Sequence, residues 1–251
     1  MEFEVWEPVY EQIRSEFGYG RAGDEQARDV LATLYREQIT GDADQTVTET
    51  LRSLDFSGES VAIAGGADSL DGDLDTVDRA DVVIGVSNAA TRLQELGYRY
   101  DCMVTDLDKS PETAGELSRR GVPVFVHAHG DNIDLLETYV PKFDAISIVP
   151  TTQVRPVGPV LNFGGFTDGD RAAFIADEVN AKELHFPGWD FEDETVSPEK
   201  RRKLVWAGRL LCWLERRRNE RFDVLDGLRD RFDTESLADG SSDDRPFEET
   251  P

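Results

Sequence analysis

Positive charge is what this sequence has least of. Against 52 Asp and Glu there are 27 Lys and Arg, a formal net charge of −25 at pH 7. Lysine occurs only at Lys109, Lys142, Lys182, Lys200 and Lys203. So acidic a chain offers no general footprint for a phosphate backbone, which argues against nucleic acid as a partner. A local basic patch stands at Lys200-Arg201-Arg202-Lys203. Acid excess with scarce lysine resembles proteins adapted to high intracellular salt, where ions screen the self-repulsion. Cysteine is nearly absent as well. Cys102 falls in an apolar strand pattern and Cys212 in an apolar helical one, with no Cys-x-x-Cys pair. Both read as small buried hydrophobes rather than as a disulfide or a catalytic thiol. No apolar run approaches the roughly 20 residues that cross a membrane. Met1 to Tyr10 is acidic and amphipathic, without the basic and apolar regions of a signal peptide. The expected location is the cytoplasm, without membrane contact.

What is present is enough for a packed core: 251 residues, 39% of them hydrophobic. Trp6, Val9, Tyr10, Ile13 and Phe17 recur at helical spacing before Gly18 and Gly20. Val30, Leu31, Leu34, Tyr35 and Ile39 mark a second helix, and Val47, Leu51 and Leu54 a third. Residues 1–56 therefore read as a helical cap. The pattern then changes to short apolar runs alternating with helices. Strands are expected at 61–64, 82–86, 102–104, 122–126, 145–149 and 183–186, and helices at 88–96, 111–120, 132–140 and 168–179. Ser110-Pro111 looks like a helix start, with a capping hydroxyl before proline at the first helical position. Ser197-Pro198-Glu199 opens a long helix carrying Leu204, Ala207, Leu210, Leu211 and Leu214. Uninterrupted apolar strands between helices imply an α/β fold: a Rossmann-like, mostly parallel sheet with helices on both faces. Residues 57–220 are expected to form this α/β catalytic domain, and 221–251 to be a helix end and an acidic, disordered tail.

Ligands of open parallel sheets bind beyond the carboxyl ends of the strands. The segments expected there are Gly65-Gly66-Ala67-Asp68-Ser69, Ser87-Asn88, Thr105-Asp106-Leu107-Asp108, the run from His127 to Asn132, and Thr151-Thr152-Gln153. A polar loop from Asn162 to Arg171 follows, with Gly164, Gly165, Thr167 and Asp168 inside it. Five strand ends that are all polar, acidic or glycine-rich converge on one rim, which marks the rim as an active site. Asp106 and Asp108, two apart in an extended segment, point the same way, and such a pair needs a cation between them. Asp71, Asp73 and Asp75 show the same spacing, so position after a buried strand is what favours the first pair. His127, His129 and Asp131 could ligate a transition metal, but only His185 remains to complete a zinc site, which favours polar contacts to substrate. Gly164-Gly165 would let backbone approach a ligand, and Thr167 or Asp168 would serve either the ligand or the next helix start. The first loop is neither a dinucleotide fingerprint nor a Walker loop.

These segments, in this order, resemble the archaeal 6-hydroxymethyl-7,8-dihydropterin diphosphokinases over roughly residues 1–220. The resemblance implies a core like that of thiamine diphosphokinases. It implies that the pterin hydroxymethyl oxygen attacks the β-phosphorus of ATP and AMP leaves, in folate or tetrahydromethanopterin biosynthesis. By the same resemblance Asp106, Asp108 and Asp131 would hold Mg2+, and Asp131 or His129 would take the hydroxyl proton. Asn88, His127, Asn132, Thr151, Thr152, Gln153, Asn162, Gly164, Gly165, Thr167, Asp168 and Arg171 would contact ATP or pterin. Arg171, Arg155 and Lys203 are the cations available to steady the leaving nucleotide. A halophilic archaeal member fits the acidity, and a homo-oligomer is compatible with it. Thiamine diphosphokinase, a metal-dependent hydrolase, a sugar-nucleotide glycosyltransferase and an ATP-sensing module are the alternatives.

Overall fold

The computed structural model describes residues 1–232 with Thr234 and Leu237. Most of the tail expected at 221–251 therefore lies outside the described residues. Three helices open the chain: α1 (Phe3–Phe17), α2 (Arg21–Gln38) and α3 (Ala43–Arg52). Then β1 (Ser60–Ala64), α4 (Leu74–Arg79), β2 (Val82–Val86), α5 (Asn88–Glu95), β3 (Cys102–Thr105) and α6 (Pro111–Arg119) alternate. They continue as β4 (Val124–Ala128), α7 (Ile133–Tyr139), β5 (Ile148–Thr152), α8 (Asp168–Glu178), β6 (Glu183–His185) and α9 (Pro198–Arg218).

The six strands form one sheet in the order β5-β4-β3-β2-β1-β6. Every pairing is parallel. All residues of β2, β3 and β4 are buried, as expected when both faces are covered. Helix α8 packs on β1, β2 and β3 with α9 behind it, while α2 packs on β4, β5 and α7. The chain runs outward from β1 to β5 and then returns to the far side of β1 as β6. The direction of strand order thus reverses between β1 and β6, where α/β sheets open a crevice. Among the described residues no helix is long and apolar enough to cross a membrane. Cys102 and Cys212 are free and buried.

Three expectations shift. The fifth strand lies at Ile148–Thr152, and Ala145–Ser147 is instead a 3-10 turn whose Asp144 side chain accepts from Ile146 N–H. Pro150 argues against a strand there, but β5 is an edge strand, which can spare a donor. The fourth strand runs two residues later than expected, so His127 belongs to the strand and not to the loop after it. At α6 the proline is in place, but Ser110 takes a left-handed conformation and its hydroxyl makes no cap. Helix α4 has no counterpart in the sequence pattern, because only Val77 of its six residues is buried.

Candidate active site

The ends of β1 to β5, the start of α8 and the segment after β6 wall a cavity of about 620 Å³. Helices α2 and α9 close it from outside the sheet, through Asp24 on one and Lys200 and Lys203 on the other. The backbone is strained around it. Among the described non-glycine residues with positive φ, Ser87, Leu107 and Ser110 all follow β2 or β3. Such conformations persist where surrounding structure over-determines them, and they cluster at functional sites.

Asp106 and Asp108 meet differently from the expectation. The segment is a bend, not an extension of β3: buried Leu107 sits at φ 68° and its N–H donates to Thr105 Oγ1 at 2.9 Å. Asp108 N–H then donates to Asp106 Oδ1 at 3.2 Å. His129 Nε2 stands 3.4 Å from Asp106 Oδ2, and its Nδ1 accepts from Asp131 N–H at 3.3 Å. Asp168, at the first turn of α8, stands beside the Asp106 backbone. Burial works against ionisation of Asp106, but hydrogen bonds from His129 and within the Asp106–Asp108 pair outweigh it and hold this carboxyl well below the usual range. Burial and the Asp106 charge push Asp108 up to about 6. Burial, then the Asp106 and Asp108 charges, push Asp168 well above its ordinary value.

This crowding of hard oxygen donors fits a divalent cation such as Mg2+. Among the described residues no group of three His, Cys, Asp or Glu is placed to cage a metal alone. The fit is therefore to a cation held by one or two carboxylates and completed by phosphate and water. Among the described residues His127, His129 and Asp131 are not grouped as a metal-ligand set; the two rings lie 6.2 Å apart and His127 Nδ1 bonds Thr151 at 3.1 Å.

Cations line the same cavity. Lys109, Lys200 and Lys203 are three of the chain's five lysines, and all stand on it. Desolvation at the rim and the charge of Lys109 pull the Lys200 ammonium below its ordinary value. Lys203 pairs with Glu199 at 3.3 Å. Arg155 is absent from the wall: it pairs with Glu4 at 3.1 Å on the outer surface and lies over Phe3. Arg171 is 2% exposed and lines the cavity, while its guanidinium donates to the carbonyls of Gly164 and Phe166 at 3.3 and 3.2 Å.

The remaining residues sort into wall and frame. Asn88, His127, Gln153, Thr167 and Asp168 line the cavity, as do Gly65 and Gly66 of the first loop. Asn132 is frame: its Nδ2 donates to the carbonyls of Asp106 and His127, both at 2.7 Å, and its Oδ1 accepts from His129 N–H. That one buried amide stitches the end of β3 to the end of β4. Thr151 holds His127, Thr152 accepts from Val154 N–H, and Asn162 bonds Val154 and Gly164. Gly164 and Gly165, both left-handed, wrap Arg171 and not a ligand; a Cβ on Gly165 would lie 2.3 Å from Arg171 Cα. Thr167 caps α8 while facing the cavity, and its backbone and hydroxyl both donate to buried Asp170. Phe163 is core against Phe125, whereas Phe166 lines the cavity beside Phe17. Of the competing acids, Asp71 pairs with Arg92 and Asp73 accepts from Gly188 N–H.

Sequence reasoning missed Asp24, Tyr19, Lys109, Lys200 and Trp189 as wall residues. Asp24 is 4% exposed and accepts from Tyr10 Oη at 2.8 Å, Gly130 N–H at 2.8 Å and Gln153 Nε2 at 2.7 Å. A carboxylate on the polar first turn of an amphipathic helix carries no local mark of such burial. The Trp189 ring lies against Gly65 and Gly169, where a Cβ would come within 2.8 and 2.7 Å of it. A glycine after β1 and another early in α8 were the legible trace of that ring.

Comparison with known proteins identifies the family. The model of the family described as 6-hydroxymethylpterin diphosphokinase MptE-like matches residues 37–195. The chain is 35% identical over 240 residues to the 6-hydroxymethyl-7,8-dihydropterin pyrophosphokinase of Methanothermobacter thermautotrophicus, covering 89% of this chain and 99% of that protein. It is 38% identical over 229 residues to the protein of that name from Pyrococcus furiosus, covering 86% and 95%. With the one from Methanocaldococcus jannaschii it shares 30% over 238 residues, covering 86% and 96%. The chain belongs to the MptE-like 6-hydroxymethylpterin diphosphokinase family.

Proposed function

We propose that this protein transfers diphosphate from ATP to the hydroxymethyl group of 6-hydroxymethyl-7,8-dihydropterin, releasing AMP. The observation that carries the proposal is one cavity that gathers three crowded aspartates and three of the chain's five lysines. In a chain with a net charge of −25, lysines at one rim serve an anionic ligand that brings its own cation. The names of the relatives supply the acceptor alcohol.

Asp106 and Asp108 would hold Mg2+, with Asp131 and Asp168 beside them. Bound there, the ion neutralises phosphate charge, which is most of what phosphoryl-type transfer asks of an enzyme beyond alignment. Lys109, next to Asp108, with Lys200 and Lys203 on α9, would flank the phosphates and steady the charge on the departing AMP. In the neutral ring, His129 Nδ1 already accepts a bond and Nε2–H faces Asp106, so His129 positions that carboxylate. Asp131 and Asp168 are the oxygens left to take the proton of the attacking alcohol. Trp189, Phe166 and Tyr19 give the cavity flat apolar wall for a heterocycle.

The test is turnover of ATP with 6-hydroxymethyl-7,8-dihydropterin and Mg2+ in molar KCl, read by chromatography. AMP and pterin diphosphate should rise together and vanish in Asp106→Asn. Intact ATP in folded protein would refute the proposal.

A further inference from the structure

Two side-chain atoms on the cavity wall are buried without a hydrogen-bond partner: His127 Nε2 and Arg171 Nε. Leaving buried polar groups unpaired costs stability, so each such pair in a binding cavity points to a ligand that completes it. Their chemistry is opposite. Thr151 has one hydroxyl proton, which it donates to the Val126 carbonyl at 3.2 Å. Its lone pair is then left to accept from His127 Nδ1–H, 3.1 Å away. That assignment makes Nε2, buried and without a partner on this wall residue, an acceptor. Arg171 spends its terminal nitrogens on Gly164 and Phe166, and its Nε–H can only donate. A third group stands beside them. The Gln153 side chain gives its amide nitrogen to Asp24, which turns its carbonyl oxygen toward the His127 ring and the same end of the cavity.

We infer that this end of the cavity reads the 2-amino-4-oxo edge of the pterin. Gln153 Oε1 accepts from the 2-amino group, His127 Nε2 accepts from N3–H, and Arg171 Nε donates to O4. The inference rests on the pterin reading above and adds which atoms recognise the ring. An edge of donor, donor and acceptor meets a wall of acceptor, acceptor and donor. Phosphate cannot take this place, because two acceptors would face its oxygens. Adenine cannot either, since its amino group and N1 present a different order. The site therefore has a direction: the heterocycle lies at His127 and Arg171, and the triphosphate between the aspartates and the lysine rim. Asp24 is the positioning residue that holds Gln153 in its amide orientation.

The test is a fluorescence titration of the full-length protein with 6-hydroxymethylpterin and with its 2,4-diamino analogue. The analogue replaces O4 by an amino group and removes the N3 proton, so it inverts two of the three contacts. A site built on those contacts should bind it at least about 100-fold more weakly. That comparison needs no variant. His127→Phe should weaken pterin binding and shrink the discrimination, while affinity for Mg2+·ATP stays within about twofold of the parent because that end is untouched. Equal binding of the two pteridines overturns the inference, and so does a His127→Phe protein that loses ATP instead of pterin. If neither pteridine binds while Mg2+·ATP does, the pterin reading itself fails, and that outcome is separable from the other two.

Discussion

Removing one carboxylate from the N-terminal helices should damage an active site built on the sheet. Asp24→Ala strips the acceptor from three donors, the buried Tyr10 Oη and Gln153 Nε2 and the half-buried Gly130 N–H. A hydrogen bond to a charged group is worth about 1.5–3 kcal/mol, and a donor left unpaired costs about the same. Three of them set a ceiling near 9 kcal/mol by that figure, but water from the adjoining cavity can solvate part of the gap, so the expected loss is about 3–5 kcal/mol. For a domain of this size each kcal/mol lowers Tm by about 2–4 °C, so thermal unfolding in molar KCl should shift down by roughly 6–20 °C. Asp24→Asn keeps the acceptor for Gly130 but sets an amide N–H2 against two donors, and should fall between the two proteins. Activity supplies the second reading. With Gln153 released, KM for the pterin should rise more than KM for ATP. A Tm within 2 °C of the parent, together with unchanged kinetics, would refute the claim that α2 is pinned to the site through this carboxylate.

The pH dependence has a definite sign. Asp108 is pushed up to about 6 by burial and by Asp106. Its folded form therefore binds the proton more tightly than the unfolded chain, whose value is near 4. The stability it contributes is complete below pH ~4 and is lost as pH rises through ~6. Asp168 shifts in the same direction. In metal-free protein the urea midpoint should fall across that window, less steeply in Asp108→Asn, and added Mg2+ should raise it at pH 7 in the parent far more than in the variant; a flat profile in the parent contradicts the assignment. Lys200→Met with Lys203→Met should raise KM for ATP about 5- to 30-fold, as expected for losing charge-assisted contacts to phosphate, and leave KM for the pterin unchanged. Steady-state kinetics check this, and an unaltered KM for ATP rules the lysine rim out as the phosphate wall.

The sequence carried the sheet well because β1 to β4 are continuous apolar runs, and such runs are what a doubly covered strand demands. It misplaced β5, since an edge position for Pro150 is a tertiary fact that no local window contains. Strand ends led to Asp106, Asp108, His127 and Gln153, all of which reach the cavity. Alternation gave the wrong reason for the aspartate pair, which a left-handed Leu107 brings together in a bend. Thr151, Asn132 and Asn162 sit among wall residues in sequence yet spend their polar atoms on the frame. Residue type and neighbourhood do not separate those roles; only the direction of each hydrogen bond does. Lys200 and Trp189 come from segments far along the chain, and their arrival at the cavity depends on how α9 and the loop after β6 fold back over the sheet.

Both terminal phosphates of ATP should move as one unit onto the pterin. Incubation with Mg2+, 6-hydroxymethyl-7,8-dihydropterin and ATP labelled at the β-phosphorus tests it most directly. Transfer as one unit puts the β label on the pterin product, with unlabelled AMP formed in equal amount. Labelled ADP with an unlabelled pterin monophosphate would contradict it.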